Sequence, residues 1–487
     1  MMVAVDVELR VYIDLDDDGD FNDPDENVSA YVRSAQWFLG WREPYQDIAD
    51  TPTATIVLDN SSKRWSPEVT GSLFASNQPI QKQVAIAARL GSINTWMWQG
   101  QISEIRVTPG EYTGDRSVVL ICVGHKALID NAEVTALPLQ ESKRADQIIF
   151  AIFNATAAPG AYLQTGAFIY PYAGDTFDNF TSGYEAIKQV VLADRGRYWY
   201  NRTNQAIFWN KTTVATTTTV DVEEMPYQAL TYEYGRDIVN DIRVNCYPRA
   251  LSPTNNETLW TRQGSFTIPP GDSRTLRASF NDGTGAKVAG RNLQTPNTGN
   301  GTLAFTGGNV SVTSFVPNAT GVDITLTNTG AADATVTTLI VRGQKITALN
   351  VEQARSEDAT SVSQFGRFIR TLDLKLLYSF DLAKDIADYE IYRRSKARGV
   401  VRTLTQIGTS TRIDYSVIIA TIMSRITVTE NQTGHTGTYW VIGEEHRWYA
   451  GQKWETVYYL EPADTTAFWL VEVPGRSELN HTTILGL

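Results

Sequence analysis

The 487-residue chain is poor in the residues that usually announce covalent bracing or catalysis: two cysteines, four histidines and five methionines. Cys122 and Cys246 each sit in a β-type apolar run, "VVLICVG" and "IRVNCYP", so both read as buried reduced thiols and not as a disulfide framework. None of His125, His435, His446 and His481 falls in an HExxH or paired-cysteine pattern, which removes the motif case for a zinc enzyme. The nucleophile elbow GxSxG, the phosphate loop GxxxxGK[ST] and a strand-linked GxGxxG are missing too, and no enzymatic activity is expected. No apolar run of about 18 residues occurs, so no membrane span is expected. The start, "MMVAVDVELRVYI", lacks a basic n-region, and a soluble protein made in the cytosol is expected. Positive charge is in deficit, with 42 Lys+Arg against 54 Asp+Glu and a net charge of -12, which disfavours a surface that grips phosphates. Asn-x-Ser/Thr triplets such as those at Asn60, Asn154, Asn179 and Asn318 are read as a by-product of Asn- and Thr-rich β surfaces.

What is present is globular: 42% hydrophobic and 20% charged residues, enough to bury several cores. At 54.1 kDa the length suggests about three or four domains. From Val3 to Ile13 apolar and polar residues alternate strictly, the signature of a half-buried strand. Further β runs at Thr53–Leu58, Val84–Leu90, Trp96–Val107 and Ser117–Val123 are separated by turn clusters, so residues 1–130 read as a small antiparallel barrel or sandwich.

Residues 131–228 read as a small α+β domain. In "ESKRADQIIFAIFN", Ile148, Ile149, Ile152 and Phe153 share a helical face, with Ser142 as the expected N-cap. In "SGYEAIKQVVLADRG", Ser182 and Glu185 have capping-box spacing and Gly196 is the expected left-handed stop. The β pattern resumes over 229–250 and again over 351–462, interrupted by a Gly/Thr/Asn-rich tract at 251–350 whose alternating runs predict an inserted β-sandwich. A helix is expected over Phe380–Arg398, its acids first and its bases last, matching the helix dipole. Residues 463–487 form a C-terminal extension. The run "RRSKAR" reads as a solvated helix end. The acid/base-like "GEEHRW" at Gly443–Trp448 reads as an exposed hairpin flank.

One stretch stands out chemically. "DLDDDGDFNDPDE", Asp14 to Glu26, holds eight carboxylates in thirteen residues immediately after a strand. Asp14, Asp16, Asp18, Asp20, Asn22 and Asp25 fit the spacing of an Asp-x-Asp-x-Asp-Gly calcium loop, in which alternate residues of a turning backbone deliver oxygens and Gly19 permits the sharp turn. The twelfth position is Asp25 where such loops carry a bidentate Glu, and Glu26 lies next door. A structural calcium is expected there, against the alternative of a solvated acidic loop that keeps a strand tip soluble.

Several stretches together resemble the tail-hub (baseplate hub, minor tail) proteins of long-tailed bacteriophages: "VYIDLDDDGDFND", "VSAYVRSAQWFLGW" and "TATIVLDNSSKRWSP" near the start, then "LTYEYGRDIVNDIRV", "DATSVSQFGRFIRTLDL" and the closing "SELNHTTILGL". The resemblance implies a mainly β, multidomain chain with two tube-like antiparallel β-barrels, at 1–130 and at 229–250 plus 351–462, beside the α+β domain and the inserted sandwich. It implies a virion tail component assembled in the host cytoplasm. Three copies would form a pseudo-sixfold ring that joins the tail tube or distal tail protein to tip or fibre proteins, and DNA would pass through the ring without specific binding. Competing readings are a receptor- or carbohydrate-binding tail tip protein, in which calcium and aromatics would serve ligand recognition, and a secreted glycosidase, which needs only two carboxylates and leaves no local signature.

Overall fold

The computed structural model describes residues 4–112, 116–134, 137–177, 181–210, 220–222, 230–409, 412–414, 420–430, 434–450 and 453–463. The chain is mainly β, with several sheets and several separate hydrophobic cores. Val3 and the extension beyond Ala463, with "SELNHTTILGL", lie outside the described residues.

The alternating pattern of the N-terminus does not make one strand. The chain pairs with Arg412–Asp414 over Ala4–Asp6 and then changes partner, so that Glu8–Ile13 pairs antiparallel with Gln83–Leu90. The inward side chains match across that pair, Leu9 with Ala88, Val11 with Ile86 and Ile13 with Val84, and all six are buried. Antiparallel pairing continues through Ile93–Thr108, Ser117–Val123, Thr53–Asp59 and Val32–Gly40.

The sheet does not stop there. Val32–Gly40 also pairs with His435–Tyr449, which pairs in turn with Lys453–Pro462, then Gly399–Thr409 and Leu230–Tyr234. Arg425–Glu430 joins the first half of the His435–Tyr449 strand. The result is one twelve-stranded sheet in which an N-terminal and a C-terminal group of strands share an edge and a single apolar core. Along one cross-strand row, Gln406, Thr456, His446, Trp37, Ala54, Cys122 and Ile102 stand side by side, all buried. At the seam a Cβ on Gly40 would lie 2.2 Å from the Ile442 carbonyl oxygen, and one on Gly443 would lie 2.3 Å from that of Trp41.

The segment between these groups folds differently. Asp241–Cys246 is the centre of a three-stranded sheet, antiparallel to Glu352–Glu357 and parallel to Ile369–Asp373. Ile242, Val244, Ala354 and Leu372 pack under Ala383, Ile386 and Ala387 of helix Phe380–Arg394. That helix is capped by Ser379, whose hydroxyl accepts from the Leu382 N–H.

In the α+β unit, helices Ala145–Ala155 and Gly183–Asp194 bury Ile148, Ile149, Ile152, Phe153, Ile187, Val190 and Val191 against one another and against Arg197–Tyr200 and Ala206–Trp209. Ser182 caps as expected, accepting from Glu185 N–H at 3.2 Å, but the Glu185 carboxylate pairs with Lys188 instead of reaching back. Two cap assignments change. Ser142 lies in the strand Gln140–Arg144, and the helix starts after Arg144, whose N–H donates to Gln147 Oε1. The left-handed stop is Arg195, at φ 53°, because its side chain is held on both sides by Asp47 and Glu390; Gly196 only follows it.

The insertion is a β-sandwich. The long strand Ala334–Ala348 collects five short partners, and Gly321–Asn328 lies between Ser273–Ser279 and Val310–Asn318 in the facing sheet. Val322, Ile324 and Leu326 of one sheet bury against Val336, Leu339 and Val341 of the other.

Because the seam leaves no room for a side chain at Gly443, Gly443→Ala is expected to lower unfolding free energy by about 1–3 kcal/mol in denaturant titration. Gly160→Ala, where an added Cβ meets nothing within 4 Å, is expected to stay within about 0.5 kcal/mol of the parent.

Candidate functional site

The acidic loop is built on the tip of the Glu8–Ile13 strand and closed onto it. Ile13 N–H donates to the Glu26 carbonyl at 3.0 Å and Val28 N–H to that of Val11 at 2.9 Å, so both ends are fixed by backbone bonds. Phe21 reaches back from the loop and packs between Tyr12 and Trp96, with ring centroids 5.8–5.9 Å apart. Inside this frame the carboxylates organise the turn. Buried Asp14 accepts from the N–H groups of Asp17 at 2.7 Å and Gly19 at 3.1 Å, while Asp16, Asp18 and Asp20 each accept from the N–H two residues on. Gly19 takes φ 86°, the left-handed conformation its position in the motif demands.

Of the six expected ligands, the fold brings Asp14, Asp16 and Asp18 together, with carboxylate oxygens within 4.8 Å of one another. Asp20 turns its carboxylate to the Asn22 N–H, and Asp25 pairs with Arg64 at 2.6 Å. A second group of the same closeness joins Asp16 to Asp23 and Glu26. Glu26 is buried and accepts from the N–H groups of Leu15 at 2.9 Å and Asp23 at 3.2 Å. Burial pushes its carboxyl pKa up, partly offset by those two donors. Asp23 is also raised, by its hydrogen bond to Asp16 and by the Asp16 charge. Spacing alone pointed to Asp25. The signal for Glu26 was Asp23–Pro24, a turn closed by Glu26 N–H on the Asp23 carbonyl, which swings the next residue inward. Lys82 is a second cation on the loop, its Nζ 2.6 Å from both the Leu15 carbonyl and Asp17.

The second acid-rich stretch, "GEEHRW", is not an exposed hairpin flank. It continues the His435–Tyr449 strand straight through the middle of the sheet, with Glu444 and His446 fully buried. His446 stacks on Trp37 at 4.9 Å and shares a hydrogen bond with Thr456 Oγ1 at 2.8 Å. Arg202, from the turn between Arg197–Tyr200 and Ala206–Trp209, grips Glu444 with Nε at 2.8 Å and with Nη2, which also donates to the Ala420 carbonyl. Burial alone would raise the Glu444 pKa, yet the Arg202 charge and the hydrogen bonds from Arg202 and His446 carry it down to about 2. Burial pushes the His446 pKa down, so the imidazole is neutral at physiological pH. A paired carboxylate and a neutral, stacked imidazole in a closed core hold domains together; they present no acid or base to a substrate.

The basic run "RRSKAR" is likewise not a merely solvated end. Arg393 reaches the buried Glu461 at 3.3 Å and lies over Tyr45, and Glu461 also holds Arg197 and the Tyr45 N–H. Arg195 bridges Asp47 at 2.8 Å and Glu390 at 2.6 Å.

No family model and no curated protein sequence matches the chain. Among solved structures it is similar to a tail protein from Neisseria meningitidis MC58, with a TM-score of 0.50 over 93% of this chain and 97% of that one, at 7% identity. The chain has a tail-protein fold. More distant are the 43 kDa tail protein of prophage MuSo2 from Shewanella oneidensis, with a TM-score of 0.48 at 7% identity over 94% and 99% of the two chains, and a prophage tail protein from Listeria monocytogenes, at 0.43, 7%, 94% and 95%. At such identity the likeness speaks to the fold alone.

Arg202→Ala strands the Glu444 charge and is expected to cost about 3–5 kcal/mol in denaturant unfolding. In the parent protein the contribution of Glu444 is complete above its unfolded pKa of 4.5 and is lost as pH falls towards about 2, so the difference between parent and variant should shrink across that acid range.

Proposed function

We propose that this chain is a structural hub of a phage tail, a trimer whose three copies form a pseudo-sixfold ring between the tail tube or distal tail protein and the tip or fibre proteins. The observation that carries the reading is the end-to-end fold likeness to a tail protein, which leaves little of either chain unmatched. The sheet supports the symmetry: each chain supplies two groups of strands side by side, so three copies offer six. A net charge of -12 suits a conduit through which DNA slides without sticking. The reading places the protein in the virion tail, assembled in the host cytoplasm, with no enzymatic role. Tyrosine and phenylalanine rings are exposed on the chain, but Trp37, Trp41, Trp65, Trp98 and Trp454 are buried and none of the described tryptophans is exposed, so no tryptophan platform of the kind a carbohydrate-binding adhesin uses is offered by the described residues. Light scattering of the purified protein is expected to give three copies of 54.1 kDa, and electron microscopy of particles to place the ring on the tail axis. A stable monomer, or density confined to a peripheral fibre, overturns the proposal.

The same reading gives the acidic loop a structural cation. Asp14, Asp16, Asp18, Asp23 and Glu26 would supply the oxygens of a calcium site, a donor set of hard carboxylates that fits that ion. The cation would offset repulsion of about 1 kcal/mol per close pair of carboxylates in water. Millimolar calcium is expected to raise the melting temperature, chelator to reverse it, and Asp16→Asn to remove the response. Melting that ignores both calcium and chelator sinks the assignment.

A further inference from the structure

The inserted sandwich carries the chain's single Asn-Gly pair, Asn300–Gly301, in the loop between the strands Ala289–Gln294 and Leu303–Thr306. Such a pair is chemically special. The backbone nitrogen that follows an asparagine can attack the side-chain amide carbon, and glycine is the successor that hinders the attack least, having no Cβ and the widest choice of backbone angles. Asn300 and Gly301 are both exposed. Gly301 sits at φ 70° with nothing within 4 Å of where a Cβ would stand, so the loop has room for the ring that the attack closes.

The surroundings of the Asn300 amide favour that attack. Its Oδ1 accepts from the Thr302 N–H at 3.1 Å and from the Thr302 hydroxyl, two fixed donors on the oxygen where negative charge gathers as nitrogen adds to Cγ. The Nδ2 that must leave is bonded to none of the described residues. The bond to be given up is weak, because Gly301 N–H donates to the Thr298 carbonyl at 3.3 Å, longer than an ordinary N–H···O bond. Asn60, followed by Ser61, is the opposite case. It is buried, with Oδ1 held by the Trp65 N–H at 3.0 Å and Nδ2 donating to Ser66 Oγ at 2.8 Å.

We propose that Asn300 is a site of spontaneous covalent modification. The Gly301 nitrogen gives its proton to solvent base and bonds to Asn300 Cγ, the Cγ–Nδ2 bond breaks, and Nδ2 takes up a proton and leaves as ammonia. Water then opens the succinimide at either carbonyl, leaving aspartate or isoaspartate at position 300. Nothing is oxidised or reduced, and water is the only co-reactant. Either product adds one negative charge to the loop. Isoaspartate also lengthens the backbone by one carbon in a turn where the N–H groups of Thr302 and Leu303 donate to the Asn297 carbonyl at 3.2 and 3.1 Å and where Leu303 enters the sandwich core. The reaction therefore acts on one side of the inserted module, whose core is its own. The site stands independently of the hub reading, since it depends only on this loop.

The test is peptide mapping by mass spectrometry of the full chain, held folded in warm neutral and mildly alkaline buffer, beside a synthetic peptide of residues 295–305 under the same conditions. The mass gain of an amide turned into an acid is expected at Asn300 before any other asparagine, and faster in the alkaline buffer because the attacking nitrogen must lose its proton. Enzymatic methylation of isoaspartate is expected to label the same peptide. Gly301→Ala, whose added methyl hinders the attack, is expected to slow conversion about tenfold or more. The parent chain alone decides the matter, so a variant that disturbs the loop does not blunt the test. An Asn300 that stays an amide in the folded chain while the free peptide converts, or another asparagine that converts first, overturns the proposal.

Discussion

The ladder between Val32–Gly40 and His435–Tyr449 is the constraint on which the rest of the structure depends. Gln36 and Glu445 are 409 positions apart in the chain and hydrogen-bond at 2.8 Å within it. Without that pairing the N-terminal and C-terminal strands would be two sheets with two open edges, each a template for unwanted association. With it, Trp37 stacks on His446 and meets Trp454 edge-on at 5.7 Å, and one core runs beneath both groups. The close approach at Gly40 and Gly443 is a consequence: where two backbones cross so near, glycine is the residue that fits. Contacts this distant in sequence carry a large loop-closure entropy, so the seam is expected to form late in folding, after the local hairpins.

Buried arginine–carboxylate pairs fasten the other units to this sheet. Arg202 enters from the α+β unit to Glu444, Arg197 from the same unit to Glu461, and Arg195 to both Asp47 and the helix residue Glu390. Such pairs are a weak source of net stability, because desolvating both charges costs nearly what their attraction returns. Their directional forks instead fix orientation, since a bidentate pair tolerates little rotation or slip. The sandwich is attached more lightly, through Arg291 to Glu141, Arg249 to Asp175 and the backbone bond from Ala319 N–H to the Leu137 carbonyl. It has its own core and few ties, which is what an inserted module requires if its presence is not to disturb the sheet that carries it.

What could be read in the sequence was local. Strict alternation located the strands of the first group and of the sandwich, and Ser182 announced its helix, because those signals are set by neighbouring residues and a period of two or 3.6. What could not be read was partner choice. The break after Asp6 has no sequence marker, since the alternation runs through it unbroken and only the identity of the paired strand changes. "GEEHRW" reads as a hairpin flank because it lies between two strand-like runs; the partners that make its burial possible include Arg202 on Glu444 and Gln36 and Tyr459 on Glu445, which no local window contains. The same holds for Arg393, paired with Glu461 on a distant strand. In the acidic loop, composition and the glycine position were visible, but which carboxylates converge was decided by the Asp23–Glu26 turn and by Arg64 drawing Asp25 away.

These two kinds of information explain how the chain distributes its charge. Many of its arginines are spent inward, on Glu444, Glu461, Glu390 and Asp175, where each neutralises an acid that the core would otherwise not tolerate. The acids left over gather where the backbone turns, and the loop Asp14–Glu26 is the extreme case, its carboxylates answering backbone N–H groups more than cations. The acidic balance itself comes from the excess of 54 acids over 42 bases, since each buried pair withdraws one of each and leaves that excess outside the pairs.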